Sequence, residues 1–202
     1  MERGRAGRTR LRRRLTTAGR GAELLDRKDR ILAAELDRLR LRERRSRAEW
    51  EQCAGVAAEW LIRAAALDGS ARIATAAPST AAEVVVIWGG DVGVRYPEDV
   101  VCDPPIASGA GGTSALTFAA AAHRAAVVAG VRYAGVRRSI SLVSAELSMT
   151  RVRRRAIENR WIPRLQRDLK EVQQQLDELE LEDTFRVRWA SAARGRDIDS
   201  AP

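Results

Sequence analysis

Four guanidiniums fall within five residues at Arg10, Arg12, Arg13 and Arg14, and Arg20 follows less than two turns later. Arginine at this density binds oxyanions, either phosphates or carboxylates, because each planar fork presents several donors to one acceptor group. Arg186 and Arg188 form a smaller cluster near the other end of the chain. Other candidates for chemistry are sparse. The glycine-rich SGAGGTS at 108–114 lacks the Lys-Ser/Thr of a phosphate-cradling loop and follows Pro104-Pro105 instead of a buried strand, so it reads as a connector. His123 is the only histidine, and within AAAAHRAA it reads as a helix-surface residue. Cys53 and Cys102 give neither a metal spacing nor a disulfide framework. The carboxylates fall on solvated helix faces, with no apolar pocket to raise a pKa. No catalytic, cofactor or metal site is expected, and the chemistry is that of surfaces.

Those surfaces need something to hold them. From Leu11, alternate steps of four and three reach Leu15, Ala18, Ala22, Leu25, Asp29, Leu32, Leu36, Leu39, Glu43, Ser46, Trp50, Cys53, Ala57, Trp60, Ala64 and Leu67. Only Asp29, Glu43 and Ser46 break the apolar rule, and no proline interrupts the run. A 3.5-residue apolar repeat of this length predicts a coiled-coil helix. At 1.5 Å per residue it would run on the order of 85 Å.

The C-terminal third repeats the pattern at Val136, Ile140, Val143, Leu147, Thr150, Arg154, Ile157 and Trp161. Leu165 and Leu169 then follow at steps of four before Val172, Leu176 and Leu179 resume the heptad, which makes a stutter. Pro163 sits in the same place and removes a backbone donor, so a bend, or the restart of a separate helix, is expected there. The two helices are expected to pair as an antiparallel hairpin. That sets the arginine-rich start beside the acidic LDELELED at 176–183, where exposed pairs favour one orientation while adding little stability.

Between them AEVVVIWGGDVGVRYPED predicts a β-hairpin. Val84 to Trp88, including Val86, make one strand; Gly89-Gly90-Asp91 make the turn; Val92 to Tyr96, including Val94, make the other. The expected organisation is mainly α: an N-terminal coiled-coil helix (1–67), a loop and β-hairpin head (68–114), a long C-terminal helix bent near Pro163 (115–192) and a flexible tail (193–202).

Composition bounds the partners. A net charge of +9 carried almost wholly by arginine, with only Lys28 and Lys170 as lysines, reflects codon bias as readily as phosphate binding. Aromatic residues are 4% of the chain, too few to interleave with a nucleic-acid surface. Leu11 and Leu15 are split by arginines, so no signal peptide is read. The alanine-rich run after Ala115 is cut by His123, Arg124 and Arg132, so a soluble, cytoplasmic protein without membrane insertion is expected.

Three segments resemble the D subunit of the V/A-type ATPases and ATP synthases. TRLRRRLTTAGRGAELLDRKDRIL (9–32) is similar to that family's N-terminal pattern, ELSMTRVRRRAIENRWIPRL (146–165) to its Thr-Arg-Arg-Arg segment ending in Ile-Pro, and LEDTFRVRW (181–189) to its Glu-Asp-Thr-Phe-Arg ending. The hairpin stretch resembles it less closely. Gly7-Arg8 replaces a usual proline, Arg155 stands where the family often has Asn, and the segment after Ala190 is short and lacks the family's lysines. The resemblance implies a non-catalytic rotor shaft turning inside a hexamer of catalytic and regulatory subunits. It implies a hairpin head engaging the small stalk subunit (the F subunit), and a foot on the connector to the membrane ring. It further implies a peripheral place at the cytoplasmic face of the plasma membrane, without cofactor. Arg10, Arg12, Arg13, Arg14, Arg20, Arg186 and Arg188 would then face acidic groups in the ring bore. A coiled-coil nucleic-acid-binding protein, with salt-steep affinity for any duplex, and a homodimeric scaffold are the alternatives.

Overall fold

The computed structural model describes residues 4–106 and 111–199, with side chains as far as Trp189. The order is α1 (Gly4–Ala76), β1 (Glu83–Asp91), β2 (Val94–Asp103), α2 (Ser114–Ala156), a π-helical segment (Ile157–Trp161) and α3 (Ile162–Asp199). The fold is mainly α, with two long antiparallel helical arms and a small two-stranded antiparallel sheet between them in sequence. Within α1, Gly69 at φ 78 and ψ 164 breaks the helical path, a conformation open chiefly to glycine. Helix α3 covers the first part of the segment expected to be a tail; residues 200–202 and 107–110, including the start of the glycine-rich connector, lie outside the described residues. The helix that starts at Ser114 is apolar enough by composition to pass for a membrane span, yet it carries His123 and Arg124.

The chain divides into two compact units, residues 1–27 with 151–202 and residues 28–150. In the first, Leu11, Leu165, Val172 and Leu176 are buried together, with Leu15, Ala18 and Leu169 packed on them. Arg5 Nη2 lies 3.1 Å from Glu180 Oε1, Arg8 Nη1 donates to Gln173 Oε1 at 3.2 Å, and Arg154 Nη1 pairs with Asp26 Oδ1. Ascending positions meet descending ones, so the arms are antiparallel. Leu25 is half-buried.

The C-terminal seam departs from the expected stutter. Ile162 N–H bonds to Ile157 O, a five-residue step, so the seam passes from half-buried Ile157 to half-buried Ile162 and on to Leu165. The wider π turn swings Trp161 out, leaving it 57% exposed. Helix continues without a break on both sides, so Pro163 marks a change of phase and not a separate helix. Leu179, expected on the seam, is 55% exposed.

In the second unit Leu32, Leu36 and Leu39 of α1 meet Val143 and Leu147 of α2, and Val94 and Tyr96 of β2 join the same core. Further along, Trp50 stacks on Tyr133 with centroids 5.5 Å apart, and Trp60 meets Phe118 at 4.8 Å. Ala64, Ala115 and Ala119 are buried together beyond them. Thr113 donates its N–H to Asp68 Oδ1 at 3.0 Å and its hydroxyl to Asp68 Oδ2, tying the entry of α2 to α1. These bonds to the charged form hold the Asp68 carboxyl below its ordinary range.

The hairpin is longer than expected and its turn lies elsewhere. Asp91 pairs with Val94, so Gly89, Gly90 and Asp91 belong to β1 and the turn is Val92-Gly93. Both turn residues have positive φ, 48° and 80°, as a two-residue I′ turn demands. A β-branched residue fits that region poorly, so Val92→Asn should raise stability by about 1 kcal/mol. A urea midpoint that does not rise would show that the turn carries no such strain. Gly89 and Gly90 serve close approach instead: a Cβ on Gly90 would lie 2.5 Å from Val94 O.

Candidate partner-binding surfaces

Arg10, Arg12, Arg13, Arg14 and Arg20 are all exposed, flanking the buried Leu11 and half-buried Leu15. Their spacing forces this, because a helix that buries i and i+4 must show its neighbours to solvent. Thr16 and Thr17 donate to the carbonyls of Arg12 and Arg13, so these hydroxyls are turned back on the helix. At the far end of the chain Arg186 lies 3.6 Å from Glu182 and 3.8 Å from Asp183 on its own helix. The acidic stretch is thus shared between Arg5 from across the seam and Arg186 from the same helix. Apolar side chains accompany these charges: Leu181, Phe185, Val187 and Trp189 are exposed, Trp189 to 78%.

The hairpin forms the second surface. Val94, Tyr96 and Val100 of β2 are buried, Val94 and Tyr96 in the core with Leu32, Leu36 and Leu39 and Val100 against α2 at Gly135. Val86, paired with Val100, is half-buried, and Val84 is 46% exposed. Val85, Ile87, Trp88 and Val101 are exposed, with the Arg95 guanidinium 5.9 Å from the Trp88 ring centre.

Sequence reasoning did not find what clamps this hairpin. Tyr96 Oη donates to Glu35 Oε1 at 2.9 Å, and Arg38 donates to both Glu35 oxygens at 2.8 and 2.9 Å. Glu35 and Tyr96 are 61 residues apart, and no local pattern joins them. Burial pushes the Glu35 carboxyl up, but the bonds from Arg38 and Tyr96 outweigh it and leave the pKa below its ordinary value. Burial, then the hydrogen bond to Glu35 and the Glu35 charge, raises the Tyr96 phenol. A depressed carboxylate contributes stability above its unfolded pKa and loses it as pH falls through the folded one. Docking of the hairpin should therefore weaken below the ordinary glutamate range, about pH 4. Tyr96→Phe should cost about 1.5–3 kcal/mol at neutral pH and flatten this acid limb. Amide exchange in the hairpin as a function of pH measures both; an unchanged acid limb would show that Glu35 is not its cause.

The sequence profile of a family described as the D subunit of ATP synthase matches residues 8–192. The chain belongs to that family. Two curated relatives, from two strains of Thermus thermophilus and both named as the D subunit of a V-type ATP synthase, are each 30% identical over 184 residues, covering 86% of this chain and 80% of theirs. For this family member, the match takes in α1 from Arg8, the hairpin and both C-terminal helices. Among the described residues no group of three or more His, Cys, Asp or Glu side chains is placed to hold a metal. An apolar cleft of about 480 Å³, lined by Leu61, Ile73, Pro78, Pro104, Leu116 and Val127, completes the surfaces of the second unit.

Proposed function

We propose that this chain is the central rotor shaft of a V/A-type ATPase or ATP synthase. It transmits torque between a catalytic hexamer and an ion-translocating membrane ring, moving protons or sodium ions. The observation that carries the reading is the family match over residues 8–192, which spans both helical arms and the hairpin. ATP is bound and turned over on the hexamer, and this chain contributes no catalytic group. Its two antiparallel helices present a different side to each catalytic interface of the ring, so shaft angle and interface conformation bias each other. The exposed arginines at 10–20, with Arg186 and Arg188, meet carboxylates lining the bore. The hairpin engages the small stalk subunit (the F subunit), and the loop end with its apolar cleft meets the connector to the membrane ring. The complex holds the chain at the cytoplasmic face of the plasma membrane without inserting it.

The test is direct. The tagged chain is purified from its host's solubilised membranes, and the assembly is fixed through the hexamer with a bead on the chain. Co-purification of two large ATPase subunits and rotation of the bead on ATP addition are expected. An intact assembly in which ATP is hydrolysed and the bead stays still would sink the shaft reading. Recovery of nucleic acid that is lost steeply with salt would return the arginines to phosphate.

A further inference from the structure

One seam position on the C-terminal arm has two claimants. The structure seats half-buried Ile162 on it and turns Trp161 out, whereas the four-residue spacing from Ile157 selects Trp161. The cause is a single surplus residue. With one residue taken out between Ile157 and Ile162, the seam from Val136 to Leu176 runs in alternate steps of four and three without exception. The π turn at Ile157–Trp161 absorbs that residue, as the Ile162 N–H reaches back to Ile157 O. The same surplus can be absorbed one turn later. An ordinary step then carries the seam from Ile157 to Trp161, and the wider turn falls at 161–165. Leu165, Leu169 and Val172 keep their seam positions in both arrangements, so only Trp161 and Ile162 change places. Pro163 has no N–H to give in either, which leaves one bond fewer to exchange.

The helix opposite has room for the ring. Arg154 pairs with Asp26 and Arg8 with Gln173, so in this antiparallel pairing residues 161 and 162 fall opposite the stretch from Ala18 to Ala22. That stretch reads Ala-Gly-Arg-Gly-Ala, and a Cβ built on Gly19 or Gly21 would meet nothing within 4 Å. We propose that the π turn is a bistable element, which migrates between 157–161 and 161–165 and exchanges Ile162 for Trp161 on the seam. The indole stands out in one state and lies over Ala18–Ala22 in the other. Because the seam is the same on either side, the exchange alters the surface of the arm at one level without rotating the helix beyond it. Its cost is confined to a few backbone bonds and one side-chain swap. A contact that grips the exposed indole favours the described state, and one that excludes it favours the other. The inference concerns the arm alone and does not rest on the rotor-shaft reading.

The experiment uses the full-length chain with fluorotryptophan at its five tryptophans, read by fluorine NMR, with Trp161→Phe assigning the resonance. Relaxation dispersion should show the Trp161 signal exchanging with a second, solvent-shielded one on the microsecond-to-millisecond scale, while Trp50 and Trp60 of the other unit show no such exchange. Ile162→Ala removes the competitor for the seam and should raise the second population at least about tenfold. Deletion of Trp161 restores the unbroken repeat and should melt no lower than the parent. A Trp161 signal without exchange in the parent and without a second species in Ile162→Ala would overturn the proposal. Exchange toward a more solvent-exposed signal would overturn it too, since that is fraying of the helix. Should Ile162→Ala fail to fold, the deletion decides: a melt well below that of the parent would show that the residue is not surplus, and the bistable turn would fall with it.

Discussion

Leu32→Ala is expected to destabilise the 28–150 unit by about 2–5 kcal/mol. Leu32 is 0% exposed at a point where three elements converge: its own helix, Val143 and Leu147 of α2, and Val94 and Tyr96 of β2. Removing three carbons there loses their transfer free energy and opens a void that no single element can close by moving. The lower half of the range applies if Tyr96 settles inward, but its hydroxyl is held by Glu35, which limits that relaxation. Leu67 is the contrast. It occupies the same heptad phase, is 67% exposed, and on conversion to Ala should change stability by no more than about 0.5 kcal/mol. Urea unfolding of the two variants beside the parent checks the pair, and equal midpoints would show that heptad phase, not convergence of elements, sets the cost.

That contrast marks how far periodicity carries. The 3.5-residue repeat locates a seam because every apolar residue on it has the same angular position. Leu11, Ala22, Leu32, Leu36, Leu39, Ala57 and Ala64 are buried along it. The repeat does not report what lies opposite, so it cannot distinguish Leu32 from Leu67, or Leu176 from Leu179. It also assumes α-helical geometry: across Ile157–Trp161 the helix takes π bonds, the seam steps by five, and Ile162 replaces Trp161. The repeated four-residue spacing and Pro163 were the visible trace of that change.

The hairpin was legible as a hairpin from its β-branched run, but its turn was not. Gly-Gly-Asp is the stronger local turn signal, whereas the chain bends at Val92-Gly93 because Gly89 and Gly90 are needed where β1 passes close to Glu98 and Val94. The use of a glycine for close approach depends on a neighbour distant in sequence. For the same reason the Glu35–Arg38–Tyr96 clamp emerges only from the three-dimensional arrangement. The arginine clusters were visible from the start because exposure of helix flanks follows from the seam alone.

Gly135→Ala should loosen the hairpin although alanine is the better helix former. Gly135 lies inside α2, where exchange for alanine would by itself add about 1 kcal/mol. The new Cβ, however, would fall on Val100 Cγ2, well inside contact distance, with the Val100 Cβ 3.4 Å away. Val100 cannot step aside easily: it is 6% exposed, its χ1 is stiff, and its N–H is held by Asp99 Oδ1 at 2.8 Å. Overpacking of this kind costs about 1–3 kcal/mol, so the clash is expected to exceed the propensity gain, and Gly135→Val should be worse. Gly130 supplies the comparison on the same helix. Its added Cβ would stand 3.1 Å from Trp50 Cδ1 and Nε1, a distance that a shift of a few tenths of an ångström relieves. Gly130→Ala should therefore come out close to neutral. The distinguishing readout is local: in Gly135→Ala the amides of β2 and then β1 should exchange faster, while those of α1 around Leu32 keep their protection. A rise in hairpin protection would mean that β2 does not rest on α2 at Gly135, and the mounting of the hairpin on the helices would have to be sought at Tyr96 and Glu35 alone.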